Sequence, residues 1–284
     1  MFYHTQNLQF EAKPDGPDAA FARRFQEVLG GKWGEMTVAN QYLYQGWNCR
    51  LPGKYKDMLL AIGTEEMAHV ELICTMIARL LDDAPLSAQE AAVDGNPALA
   101  AVFGGSNPQQ AIVTGGGAYP ADSNGIPWSG AFITASGNLY ADFHLNATAE
   151  MQGRLQVARL WNMTEDPGVR DTLRFLLARD HYHQMQWLRA IGDLEADGLD
   201  KLPVPDAFDV DQEAPVMDAA YQFIDCSDGT QAAEGSWVGT DAMDGSGRTF
   251  TAVRGEPSGD RAQLPPGDPR LYGTPSPDKA PKAS

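Results

Sequence analysis

The sequence predicts a mainly α protein organised as a four-helix bundle, and three observations predict it. Four long stretches carry helical periodicity, they pair into two tightly joined hairpins, and one long Gly- and Pro-containing segment separates the pairs. The first stretch runs from about Pro17 to Asn48, opened by Pro17-Asp18 and broken at Gly30-Gly31 before it resumes. The second, from about Lys54 to Leu81, follows the turn Leu51-Pro52-Gly53. The third covers about Asn138 to Met163 and the fourth about Pro167 to Leu194. Thr164 and Asp166 are N-cap candidates for the fourth, and Pro167 suits its first turn.

The segment between the pairs, Asp83 to Gly137, contains Gly115-Gly116-Gly117, Pro120, Pro127 and Gly130. It predicts loops over the bundle and a short helix near Ser87–Val93. Two hairpins joined by one long crossover is the ferritin-like connectivity. After about Lys201 the pattern changes. Residues 202–248 read as turns and short strands, and from Thr251 onward there are seven prolines in 34 residues, too little apolar content for a core. The expected division is a bundle domain at 1–201 and an irregular extension at 202–284, with a tail that is disordered or lies across a neighbouring subunit.

Composition narrows the function classes. With 21 Lys+Arg against 38 Asp+Glu the formal net charge is −17, which repels phosphate backbones and anionic membranes. No nucleic-acid or membrane partner is therefore expected. The three cysteines, Cys49, Cys74 and Cys226, form no CxxC pair and read as thiols in a reducing compartment. The opening MFYHTQNLQFEAKP has no basic region followed by an apolar run, and no stretch approaches a membrane span. The expected location is the cytoplasm.

The chemistry lies in a repeated pattern of carboxylates and imidazoles. In the second stretch Glu66 and His69 are three residues apart, so they share a helix face and can grip one metal. Glu35 lies within WGEMTVANQYLYQGW, which reads as the middle of the first helix. Glu150 is mid-helix in the third, and Asp180-x-x-His183 is mid-helix in the fourth. The order Glu, Glu-x-x-His, Glu, Asp-x-x-His is what a two-metal carboxylate bundle asks for. The register repeats too: Glu35 to His69 is 34 residues and Glu150 to His183 is 33. Hard carboxylate oxygens neutralise two cations, one carboxylate can bridge them, and one imidazole per metal leaves positions open for substrate. His144 and His181 fall off the ligand face, His4 sits near the terminus, and all three read as non-ligands. Trp33, Met36, Met67 and Met151 read as apolar neighbours that keep the site dry.

These residues resemble the manganese catalase family over nearly the whole chain. The resemblance rests on MFYHTQNLQFEAKPD, GGKWGEMTVANQYLYQGW, KYKDMLLAIGTEEMAHVELICTMIARLL, the run from SGNLYADFHL through LLARDHYHQ, and the late SDG and PPGDPRLYG elements. It implies that Glu35, Glu66, His69, Glu150 and His183 are the five protein ligands of a dimanganese centre. Glu66 would bridge both ions, with Glu35 and His69 on one and Glu150 and His183 on the other. Tyr42, seven residues past Glu35, matches a supporting residue expected to orient the Glu35 carboxylate. Asp180 stands where many members carry a glutamate that is not a ligand, which implies hydrogen bonding or proton handling. Ala149 departs from members with Arg beside the ligand Glu. A structural calcium is implied at Asp57, Asp225, Ser227 and Gly229, although Ala61 replaces a carboxylate of that set.

The implied activity is disproportionation of hydrogen peroxide to water and dioxygen, the ion pair alternating between Mn(II) and Mn(III). A homohexamer is implied as well. Two other readings fit the residues: a diiron oxidase or ferroxidase on the same fold, and a structural, coat-type protein with little turnover.

Overall fold

The structure, a computed structural model, describes residues 4–51, 53–84, 109–200, 221–225, 238–241 and 247–254. These fall into two compact units, those up to Leu202 and those from Pro203 to Gly267. The first unit holds five long helices: α1 (Ala19–Gly30), α2 (Glu35–Asn48), α3 (Gly53–Leu81), α4 (Leu139–Trp161) and α5 (Pro167–Ala196). In the second unit β1 (Gln222–Asp225) and β2 (Thr251–Arg254) pair in parallel, Gln222 opposite Thr251. The short helix expected near residues 87–93 lies outside the described residues, as do Ser227, Gly229 and, beyond Arg254, the Pro-rich tail, whose first four residues form β2.

The first stretch of periodicity is two helices, separated where the sequence places the break, at Gly30-Gly31. Asp18 caps α1 by accepting from Phe21 N–H, and the helix ends at Gly30 because Gly31 turns to extended backbone (φ −70°, ψ 171°). Gly34 N–H then donates to Gly31 C=O at 3.0 Å and α2 starts at Glu35. A Cβ at Gly30 would overlap the backbone of Ala121, so only glycine admits the crossover segment here. That segment is fixed to α1 by Gln26, whose amide donates to Ala121 C=O at 2.8 Å and also to Tyr119 C=O.

Pairing follows the two hairpins: α2 packs most extensively on α3, and α4 on α5. Asp166 caps α5 through Val169 N–H at 2.9 Å, while its other oxygen accepts from Asp15 N–H at 2.8 Å. The cap thereby ties down an N-terminal arm, residues 4–15. The arm also accepts from Thr172 Oγ1 at Glu11 C=O (2.8 Å) and stacks Phe10 on Phe175 (4.6 Å between centroids).

Two apolar clusters fill the bundle. One gathers Phe21, Phe25, Leu72, Ile73, Met76, Leu173 and Leu176, the other Tyr42, Tyr55, Leu59, Phe143 and Trp187. Along α3 the switch between them falls between Ile62 and Leu72, and along α5 between Leu176 and Trp187. Those intervals contain Glu66, His69, Asp180 and His183, so a polar layer is sandwiched between two oily ones. Beside it, Gln41, Gln45 and Asn146 form a buried amide network between α2 and α4. Gln41 Nε2 donates to Asn146 Oδ1 (2.9 Å), and Asn146 Nδ2 donates to Gln45 Oε1 (2.7 Å). Such a network holds only if every member is satisfied, which fixes the register of the two helices.

The close approach at Gly30 sets a stability test. Gly30→Ala gains helix propensity of at most ~1 kcal/mol but drives its methyl into backbone, and overpacking costs about 1–3 kcal/mol. A lower Tm is expected by calorimetry. Gly192→Ala in α5, where nothing lies within 4 Å of an added Cβ, is expected to leave Tm unchanged or raise it.

Candidate metal centre

Four carboxylates and two imidazoles are buried in the polar layer: Glu35, Glu66, Glu150, Asp180, His69 and His183, each at most 5% exposed. Glu35 is the first residue of α2, placed there by the Gly31–Gly34 break rather than mid-helix as the sequence suggested. Glu66 and His69 come from consecutive turns of α3, Glu150 from α4, and Asp180 and His183 from α5.

Glu66 is the hub. Its Oε2 lies 2.6 Å from His69 Nδ1 and its Oε1 2.7 Å from His183 Nδ1. Glu35 Oε2 is 3.7 Å from His69 Nδ1. Donor atoms converge in two groups, Glu35–Glu66–His69 and Glu66–Glu150–His183, each with its atoms within 4.8 Å of one another. The two groups share Glu66. Asp180 belongs to neither group, and neither do His4, His144 and His181. His4 pairs with Glu71 (2.8 Å), His181 with Arg154 (2.6 Å), and His144 lies against the Tyr140 ring.

The fit to metal can be tested on unsatisfied atoms. Glu66 Oε1 and His183 Nδ1 face each other at 2.7 Å, yet neither has a hydrogen-bond partner of proper geometry among the described residues. Asp180 Oδ1 is similarly without one. Buried polar atoms left this way are costly, and a cation between the donors satisfies them. Charge agrees: Glu35, Glu66 and Glu150, once ionised in a dry layer, offset three of the four charges of two divalent cations. Oxygen donors with one imidazole each suit manganese or iron.

Without cations the layer balances its charge with protons. Burial, reinforced by the Glu66 charge, pushes Glu35 up to about 8. Burial also holds Glu150 and Asp180 well above the carboxylate range, helped by Glu66 for the first and Glu35 for the second. Glu66 goes the other way: burial opposes its charge, but His69 and His183 outweigh that and keep it ionised. Burial likewise opposes the His183 cation, yet Glu66 and Glu65 raise it to about 10.

Several expectations need correcting. Tyr42 donates its hydroxyl to Glu150 Oε1 at 2.6 Å, not to Glu35. Two turns along α2 carry it past Glu35 to the α4 side of the site. Met67 and Met151 point outward, 42% and 41% exposed, because each follows a ligand-face residue by one position and so lies about 100° around its helix. The aromatic lining comes instead from Trp187, whose Nε1 donates to Glu150 Oε1 at 3.2 Å, and from Phe175, edge-on to His69 at 6.1 Å. Trp187 was legible as one turn past His183. Glu65 was also missed: it holds Arg179 and His183, and its spacing of four from His69 was the available signal. Ala149 is buried beside Glu150, and the cation at the edge of the layer is Arg179. Asp57 is exposed on the second turn of α3 and joins no donor group among the described residues, while Ser227 and Gly229 of the same expected set lie outside them.

Comparison with known proteins agrees with this geometry. The family of manganese containing catalases matches residues 1–282. The chain belongs to the manganese catalase family. An uncharacterized protein of Bacillus subtilis (strain 168) is 52% identical over 247 residues, covering 87% of this chain and 88% of its own. The manganese catalase of the same strain is 51% identical over 275 residues, 96% of this chain and 98% of its own. The crystal structure of a manganese catalase from Anabaena has the same fold, with a TM-score of 0.66 at 24% identity over 89% of this chain and 99% of that one. The ferritin-like expectation is met. No described helix is long and apolar enough to cross a membrane.

Two outcomes are expected. Because Glu35 and the histidines hold protons near neutral pH, cations must displace them, so Mn(II) affinity should rise with pH. The slope is on the order of tenfold per pH unit for each proton displaced, and calorimetric titration in buffers of different ionisation heat counts those protons. Tyr42→Phe removes the shorter of the two hydrogen bonds to Glu150. It should lower metal affinity or activity by about 10–100-fold while changing stability by only ~1 kcal/mol, read by metal titration beside thermal melting.

Proposed function

We propose that this chain disproportionates hydrogen peroxide, converting two molecules to two waters and one dioxygen at a pair of manganese ions. The observation that carries the reading is the sharing of Glu66 between two buried donor groups. In this reading Glu66 would be shared by both ions, with Glu35 and His69 holding one and Glu150 and His183 holding the other. When bound, the manganese pair supplies the two-electron redox chemistry, so no outside reductant is required.

The chain's own residues bind, orient and exclude water. The two apolar clusters above and below the layer keep it dry, which strengthens the electrostatic grip on charge at the site. Tyr42 and Trp187 hold one oxygen of Glu150 and leave the other for a metal. The Tyr42 hydroxyl stays protonated, since burial and the Glu150 charge push it well above its ordinary range. Without metal, burial and then Glu35 hold Asp180 well above the carboxylate range, as a neutral acid. It therefore holds a proton beside the donor groups, in keeping with proton handling rather than ligation.

Manganese is favoured over a diiron oxidase, and catalysis over a coat-type role, by the family match and by relatives at about half identity over nearly the whole chain. A homohexamer follows the family resemblance. It is supported by large exposed apolar side chains, among them Tyr44, Trp47, Met185 and Leu188. A structural calcium at Asp57, Asp225, Ser227 and Gly229 rests on the resemblance alone. A cytoplasmic location accords with Cys49 and Cys74 as free thiols.

Oxygen evolution from peroxide, on protein of measured metal content, tests the reading. Two manganese per chain with rapid oxygen release is expected, and Glu66→Ala should drop both metal and activity to background. Iron with no oxygen release would point to the diiron chemistry instead.

A further inference from the structure

Glu65 precedes the hub on α3 and belongs to neither donor group. Its carboxylate lies on the far side of the imidazoles from Glu66. Glu65 Oε2 accepts from His183 Nε2 at 3.1 Å, while His183 Nδ1 faces Glu66 at 2.7 Å. The His183 ring is thus gripped at both nitrogens. Glu65 is itself fixed on two sides. Arg179 binds it in a fork, Nε to Oε1 at 2.6 Å and Nη2 to Oε2 at 3.1 Å, and Gln9 of the N-terminal arm donates to Oε1 at 2.8 Å.

The other imidazole is held differently. His69 Nε2 is 3.8 Å from Glu65 Oε1, outside hydrogen-bond range, and has no hydrogen-bond partner among the described residues. An imidazole offers a metal one nitrogen, and an acceptor on the other N–H fixes the tautomer, locks the ring and raises its basicity. Only His183 has that support.

We propose that Glu65 is a positioning residue for the His183 half of the centre. It accepts the Nε2–H so that Nδ1 is presented to metal, and it makes the position built on Glu150 and His183 bind more tightly than the one built on Glu35 and His69. Arg179 and Gln9 act through Glu65. The inference rests on the two-metal reading above.

Manganese titration of the metal-free full chain tests it, with free Mn(II) read by its electron paramagnetic resonance signal. The wild type should fill in two unequal steps, and Glu150→Gln should abolish the tighter one. Glu65→Gln, nearly isosteric, should weaken the tighter step by about 10–100-fold and leave the weaker step in place. Arg179→Lys keeps the charge but loses the fork and should weaken the same step by less, which provides the test if the first variant fails to fold. Wild-type protein that binds fewer than two manganese overturns the two-metal reading itself. Two equal steps in the wild type overturn the inference alone. So does a tight step indifferent to both variants, or an equal loss of both steps in Glu65→Gln.

Discussion

The contact of one carboxylate with two imidazoles governs this fold. Glu66 directs one oxygen at His69 on its own helix and the other at His183 on α5. A buried carboxylate without such partners would cost several kcal/mol. Three further acids, Glu35, Glu150 and Asp180, can be buried here only because protons or cations balance them. The bundle is therefore arranged around a charge problem whose solution is also its chemistry.

Several features serve that layer at a distance. The break at Gly31–Gly34 turns Glu35 into the first residue of a helix, where the helix dipole favours a carboxylate, though burial and Glu66 prevail and leave it protonated without metal. The amide network of Gln41, Gln45 and Asn146 holds α2 against α4, one turn before Glu150. The N-terminal arm reaches the site through Gln9 on Glu65, and Phe10 stacks on the Phe175 ring that borders His69. Residues far apart in sequence thus fix the ligand register jointly.

The two donor groups repeat in sequence but differ in their support. Glu150 is held by Tyr42 and Trp187, and His183 by Glu65. Glu35 and His69 lack such partners among the described residues. A pair of positions with equal ligand types can therefore differ in affinity and in redox behaviour, because the groups behind the ligands set basicity and orientation.

The sequence by itself determined the helices, the two-hairpin topology and the donor residues. Helix periodicity and the i, i+3 rule are local, and the near-equal spacings of 34 and 33 residues expose the internal repeat. It could not determine what each side chain touches across the bundle. The Glu150 partner of Tyr42, the outward turn of Met67 and Met151, and the hold of Glu65 on His183 depend on helix rotation and on which helix lies opposite. The break at Gly30-Gly31 was legible in the sequence, but the close approach of the Ala121 backbone to Gly30, separated by 91 positions of chain, was not. Those outcomes belong to tertiary packing, because close-packed interiors leave a side chain one place to go and only the neighbours define it.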